Sequence, residues 1–344
     1  MKRRSFITRA GAASCAFPFV GCSAFSGMHR YRTSLPKGDI PQIPLGRTGI
    51  MVSRLGFGSH LIPELIARPG YRDTMIRLGF EGGITTFDVY DHSGYKQFTP
   101  MGKSLRDFRK SAVVSLCAVK ETAELQAEIE NALAQFHTDY IDLYRLYTVD
   151  DDRMAIMEKY RRKGAIRAIG VVSHDVPTMT RYLDDYSGFL DYVMIVFNFH
   201  HNNGFFTNKD FPDNDYTALI PRCERLGLGI LGIKPMGCDS MIELARKEGF
   251  FENRSADLAQ AMIHYVLVYP EIDCTMPAMN SMEEMFGDLT AAKNPGLSGD
   301  EERLLEDLSA RATASQSSYL PPHYRWLEKW ASWGEKSGRV DGNV

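Results

Sequence analysis

From residue 50 onward, short β-branched runs alternate with amphipathic stretches, and the alternation recurs eight times. The spacing predicts strands over 53–58, 84–89, 113–119, 141–147, 166–173, 192–198, 229–235 and 273–278. Helices are expected between them at about 72–80, 101–108, 123–136, 153–162, 176–186, 216–226 and 256–268, with 282–291 following the last strand. Runs such as Ile166-Arg167-Ala168-Ile169-Gly170-Val171-Val172 and Gly229-Ile230-Leu231-Gly232-Ile233 are apolar on both faces, as parallel strands covered by helices must be. Eight such units close into a (β/α)8 TIM barrel, in which the chemistry lies at the carboxyl ends of the strands. A doubly wound open sheet is the competing arrangement. It favours a glycine-rich phosphate turn after its first strand, and Gly56-Phe57-Gly58-Ser59-His60 does not complete GxGxxG.

The chain of 344 residues is long enough for one such barrel with extensions at both ends. Its 40 basic and 43 acidic residues are mixed without long single-sign blocks, so no nucleic-acid partner is expected. The six cysteines stand singly, with no CxxC pair and no Cys/His cluster, and no metal centre is expected.

Residues 1–27 read as an export signal. Lys2, Arg3 and Arg4 precede Ser5-Phe6-Ile7, and a small apolar stretch runs from Ala10 to Val20. The Arg3-Arg4-x-Phe6-Ile7 order resembles a twin-arginine signal, which implies the twin-arginine export machinery as a partner and export of an already folded chain. The competing reading is a basic amphipathic terminus. Phe19-Val20-Gly21-Cys22 resembles a lipoprotein box with phenylalanine where leucine is usual, and would place a lipid anchor on Cys22. The expected location is therefore outside the cytoplasm, either periplasmic or anchored at the cell envelope. Residues 28–42 read as a tether, 43–313 as the barrel and 314–344 as a carboxyl-terminal extension.

The strand ends carry Ser59 and His60, Asp88, Lys120, Tyr147, Ser173 and His174, Asn198, Lys234, and Met279 with Asn280. A buried Asp beside a Lys and a Tyr can lower a phenol's pKa and let it exchange a proton near neutrality. Each of these residues taken singly is also compatible with a hydrogen-bonded polar group at the start of a loop.

Over about residues 43–292 the chain resembles the aldo-keto reductase family. The motifs that carry the resemblance are Leu45-Gly46-Arg47-Thr48-Gly49, Val52-Ser53-Arg54-Leu55-Gly56-Phe57-Gly58, Thr86-Phe87-Asp88 and Gly102-Lys103-Ser104-Leu105. Further on come Thr138-Asp139-Tyr140-Ile141-Asp142-Leu143-Tyr144, Gly164-Ala165-Ile166-Arg167-Ala168-Ile169-Gly170-Val171 and Lys234-Pro235-Met236-Gly237. The resemblance implies hydride transfer between NAD(P)H and a small-molecule carbonyl or hydroxyl substrate, through an Asp, Tyr, Lys and His tetrad. Asp88 matches the aspartate. The tyrosine register falls on Ser93-Gly94, with Tyr90 and Tyr95 nearby. Lys120 matches the lysine if the third strand reaches it; a shorter strand puts Cys117 or Ala118 there. Tyr147 stands at the histidine position. The expected proton donor is thus Tyr147 or Tyr95, tuned by Lys120 and Asp88.

By the same resemblance, cofactor contacts are expected at Gly58, Ser59, Ser173, His174, Lys234, Pro235, Met236, Gly237 and Asn280. The aromatic and serine that family members place at the end of the seventh strand are here Ile233 and Lys234. The segment from Met276 to Glu284 offers two carboxylates and no base to an adenosine 2′-phosphate, so NAD is expected over NADP. Trp326, Trp330 and Trp333 share a helical face near Tyr319 and Tyr324, either packed on the barrel wall or forming a lid over its mouth. A binding barrel that has lost reductase chemistry is the alternative function. Carboxylate chemistry on sugars has only Asp88, Asp91 and Asp175 to draw on, with no pair indicated.

Overall fold

A computed structural model describes residues 35–58, 68–91, 96–174, 176–200, 215–237, 239–249 and 255–314. The expected export signal with Cys22, the tryptophan cluster, Ser59, His60, Ser93, Gly94, Tyr95 and Asp175 lie outside the described residues.

The chain enters through an antiparallel hairpin of β1 (Gln42–Pro44) and β2 (Met51–Ser53), with Gln42 opposite Ser53 and Pro44 opposite Met51. Seven parallel strands follow in sequence order: β3 (Thr86–Val89), β4 (Val113–Ala118), β5 (Ile141–Leu146), β6 (Ile166–Val172), β7 (Tyr192–Val196), β8 (Gly229–Ile233) and β9 (Cys274–Met276). The segment 54–58 fills the gap between the last and the first of them. Gly56 and Gly58 donate to the carbonyls of Thr275 and Pro277 at 2.8 Å, and Phe57 donates to Thr86 at 2.8 Å while accepting from Asp88 at 2.9 Å. This segment is the eighth stave, and it closes a (β/α)8 barrel as expected. A Cβ on Gly58 would stand 2.4 Å from the Pro277 carbonyl oxygen, so only glycine lets the two strands approach this closely.

Alternation along the strands sorts side chains into two layers. Leu143, Ala168, Tyr192, Met194, Leu231, Cys274 and Met276 pack together inside the barrel, and Leu45, Ile50 and Val52 of the hairpin join the same cluster. The hairpin therefore plugs the amino-terminal end. Its Gly46 lies against β8 so tightly that an added Cβ would meet the Gly229 nitrogen at 2.3 Å.

Outside the staves, eight helices among the described residues cover the barrel: α1 (Pro69–Glu81), α2 (Phe98–Leu105), α3 (Thr122–Gln135), α4 (Asp151–Arg162), α5 (Val176–Tyr186), α6 (Ile220–Leu226), α8 (Ser255–Leu267) and α9 (Met282–Lys293). Two more were not expected: α7 (Ser240–Lys247) and α10 (Gly299–Ala314). Local chemistry sets these helices in place. On α4, the Asp150 carboxylate caps the Arg153 N–H at 2.8 Å, with Asp151 and Asp152 in the first turn and Lys159, Arg161 and Arg162 in the last, as the helix dipole favours. Among the described residues no helix is long and apolar enough to cross a membrane.

Most strands end one or two residues earlier than their apolar runs. The fourth shows why it matters: β4 stops at Ala118, so Lys120 lies two residues beyond the ladder. β8 stops at Ile233 because Lys234 adopts a left-handed backbone, φ 60°, that no strand can continue.

Candidate active site

Three inward positions on adjacent strands meet near the carboxyl end of the barrel. Ser115 on β4 pairs in register with Asp88 on β3, and Arg145 on β5 pairs with Cys117 on β4. The Arg145 guanidinium reaches across and grips the Asp88 carboxylate with both Nη atoms, the second at 3.0 Å. Ser115 completes the triangle, donating from Oγ to Asp88 at 2.7 Å and accepting from Arg145 at 3.0 Å. All three are buried. Burial works against the Arg145 charge, but Asp88 and its hydrogen bonds outweigh it and hold the guanidinium's pKa above its ordinary value. The Cys117 thiol beside it is pushed up to about 12 by burial, against the pull of Arg145.

Arg145 is the functional candidate that sequence reading missed. A cation inside β5 two residues before Tyr147, and so on the same parity, was the available signal. Asp88 thus takes its positive partner from β5. Lys120 instead sits in the loop after β4, where its N–H donates to Glu128 at 3.1 Å and its carbonyl accepts from Arg153 at 2.9 Å. The Glu128 carboxyl, buried on α3, is pushed up to about 7, with burial outweighing the hydrogen bonds from Lys120 and Val119.

Tyr147 follows Arg145 by two positions and packs against the interior cluster, one residue layer nearer the mouth. Its ring centroid lies 6.2 Å from that of His174. The half-buried His174 imidazole is held well below its ordinary pKa, first by burial and then by the charges of Lys234 and Arg145, so it is neutral at physiological pH. Tyr90 stands two residues past Asp88, also against the interior cluster. Deeper in the barrel the Tyr192 phenol has no hydrogen-bond partner among the described residues and is raised by burial, its ring lying across Gly170.

Ser173 and Asn198 are buried at the ends of β6 and β7. The Asn198 amide donates to the Lys234 carbonyl at 3.3 Å, tying β7 to the left-handed residue that ends β8. Beyond it Lys234, Pro235, Met236 and Gly237 form a turn closed by the Gly237 N–H on the Lys234 carbonyl at 2.9 Å. After β9, Ser281 caps α9 and the Glu284 carboxylate accepts the Asn280 N–H at 2.7 Å. Burial raises the Glu284 carboxyl above its usual range, and Asp288, one turn on and buried, is raised further by burial and then by Glu284 and Asp239. The structure therefore brings Asp88, Tyr147, Ser173, His174 and Lys234 to one end of the barrel, and gathers Asn280, Glu284, Asp288 and Asp239 into an acidic flank beside it.

Comparison with known proteins agrees with this architecture. Residues 73–285 match the profile of the aldo/keto reductase family. L-galactose dehydrogenase of Arabidopsis thaliana is 20% identical over 304 residues, covering 77% of this chain and 92% of that protein. Aldo-keto reductase YhdN of Bacillus subtilis is 28% identical over 157 residues, covering 39% of this chain and 47% of that protein. Among solved structures, an aldo-keto reductase from Bacillus halodurans in its apo form superposes with a TM-score of 0.61 at 19% identity, covering 78% of this chain and 96% of that one. An aldo-keto reductase from Klebsiella pneumoniae in complex with NADPH gives 0.61 at 20% identity, covering 83% and 97%. At such identities the superpositions speak to the fold.

Proposed function

Because the chain belongs to the aldo/keto reductase family, we propose that it is an NAD(P)-dependent oxidoreductase that interconverts a small-molecule carbonyl and its alcohol, with NAD preferred. The observation that carries this reading is the buried Asp88–Arg145 pair directly beneath Tyr147. A fixed cation below a phenol favours the phenolate and eases proton transfer to or from a substrate oxygen. Neutral His174 beside the ring adds a hydrogen-bonding imidazole without a competing charge. In this reading Arg145 does for Asp88 and the phenol what Lys120 was expected to do. Tyr95 remains the second candidate donor.

The donor set fits a nicotinamide dinucleotide. When bound, such a cofactor supplies or accepts the hydride. Ser173 and Asn198 would hold its carboxamide, and Lys234 with the turn through Gly237 its pyrophosphate. Asn280 and Glu284 border the adenosine end, with Asp288 buried behind them; a carboxylate at Glu284 can accept from ribose hydroxyls but repels a further phosphate. Calorimetric titration of the full chain with NADH and NADPH tests the reading: tighter NADH binding supports it, and binding of neither defeats it.

One observation favours the alternative of a ligand-binding barrel without turnover. Both Nη atoms of Arg145 are already committed to Asp88 and Ser115. Saturable NADH binding with no turnover across a carbonyl panel would select that alternative. For the amino terminus we retain export by the twin-arginine route, with a lipid anchor at Cys22, as part of the proposal.

A further inference from the structure

Four arginines are buried among the described residues: Arg72, Arg109, Arg145 and Arg153. Three have carboxylates. Arg109 binds Asp142 at 2.9 Å, Arg145 binds Asp88, and Arg153 meets Asp150 at 3.3 Å and Glu121 at 3.7 Å. Arg72, only 3% exposed, has no acidic partner among the described residues. Among the described residues it donates one hydrogen bond, from Nη2 to the Gln97 side-chain oxygen at 3.1 Å, and its buried Nε, like those of Arg109, Arg145 and Arg153, has no acceptor. Burial alone acts on the group and lowers its pKa to about 10, so it remains charged at neutral pH. A guanidinium taken out of water without a counter-ion is strongly unfavourable, and among the described residues only the neutral Gln97 side chain answers it.

The position of Arg72 gives this unmatched charge a meaning. It lies in the first turn of α1, on the carboxyl-terminal side of the barrel where the strand-to-helix loops gather. Its partner Gln97 precedes α2, on the loop that leaves the Asp88 strand, and is buried as well. That loop is held by Asp91, whose carboxylate accepts the N–H groups of Gln97 and Phe98, the latter at 2.8 Å. On the opposite side the Tyr71 phenol accepts the Met282 N–H at 2.8 Å, locking α1 to the start of α9. Arg72 is thus held by Gln97 in the first turn of a helix anchored to α9, at the end of the barrel that carries Asp88 and Tyr147.

We propose that Arg72 receives a carboxylate of the substrate, so that the carbonyl or alcohol compound handled at this site is a carboxylic acid anion. A planar carboxylate matches the guanidinium fork, and one negative charge matches the single buried positive charge. A phosphate dianion would call for a second buried cation. The neighbouring Arg68 is exposed and laid over the Tyr71 ring, its guanidinium carbon 4.2 Å from the centroid. The proposal rests on the oxidoreductase reading only for what happens to the substrate after it binds.

The test compares matched compounds that differ in charge: formate with formamide, pyruvate with hydroxyacetone, glucuronate with glucose, and glycolaldehyde phosphate as the phosphate probe. Binding to the full chain is measured calorimetrically, and Arg72→Met and Arg72→Lys are examined alongside. The expected result is that at least one carboxylate binds about tenfold or more tighter than its neutral partner, the range for a charge-assisted hydrogen-bonded pair, and that Arg72→Met erases the difference. Arg72→Met should also melt no lower than the wild type, because it removes an uncompensated buried charge. No charge preference in any pair, or a preference that survives Arg72→Met, overturns the proposal. So does a preference confined to the phosphate probe, or a lower melting temperature in Arg72→Met with the preference intact in Arg72→Lys and Arg72→Met alike. NADH titration of the same samples separates the two readings. Charge preference without NADH binding keeps the role of Arg72 and defeats the oxidoreductase; NADH binding without charge preference does the reverse.

Discussion

Arg145 grips the Asp88 carboxylate from two strands away, with Ser115 on the intervening strand bonded to both. Removing one partner alone leaves the other charged and buried. Arg145→Leu is expected to destabilise the protein by about 3–5 kcal/mol, while Asp88→Leu with Arg145→Leu recovers most of the loss. Urea denaturation of Arg145→Leu, Asp88→Leu and the double variant measures both. A loss in the double variant equal to the sum of the two single losses would show that the pair is not coupled.

Tyr147, one layer above Arg145, is the proposed proton donor. Tyr147→Phe should lower turnover by about a hundredfold or more while NADH affinity is retained. Undiminished turnover would take this phenol out of the mechanism and leave Tyr95 as the candidate.

The acidic flank at Glu284 and Asp288 is expected to set cofactor choice. Glu284→Arg should shift the NADPH-to-NADH affinity ratio toward NADPH by about tenfold, equivalent to about 1.4 kcal/mol. An unchanged ratio would place the discrimination elsewhere.

Glu128 gives a pH prediction with a definite sign. Its carboxyl titrates near 4.5 in the unfolded chain and at about 7 in the fold, where burial raises it. Between those values the folded state binds the extra proton, so this group makes stability fall as pH rises, by up to about 3 kcal/mol across the window. Glu128→Gln should flatten that part of the curve. Melting temperatures of the two proteins at pH 5 and pH 8 decide it, and an equal drop in both would assign the fall to other groups.

Export is testable independently of chemistry. Arg3→Lys with Arg4→Lys should strand the protein in the cytoplasm, as fractionation and immunoblotting would report. Normal export would remove the twin-arginine reading.

The barrel was legible because its staves are apolar on both faces and recur with helices between them, a pattern few folds share. Helices α7 and α10 were not, since α7 follows the turn through Gly237 and α10 is mostly charged outside Leu304, Leu305 and Leu308. Asp88 could be found from its motif. Its partner Arg145 could not be assigned, because which charges meet inside a barrel depends on register between non-adjacent strands. Arg72 left no mark at all: an arginine in the first turns of a helix reads as a solvated side chain, and only its burial against Gln97 sets it apart.

The hairpin packed beneath the staves, with Leu45, Ile50 and Val52 in the interior cluster, closes the amino-terminal end of the barrel and leaves exchange to its carboxyl end. Whatever enters must leave by the same rim. If a long cofactor lies across that rim, the smaller molecule held below it departs first or waits, so traffic through this protein has an order imposed by two short strands far from any chemistry. Loosening the floor, for example with Gly46→Val against the Gly229 backbone, would disturb the barrel's foundation and leave the order of exchange at the rim as it was.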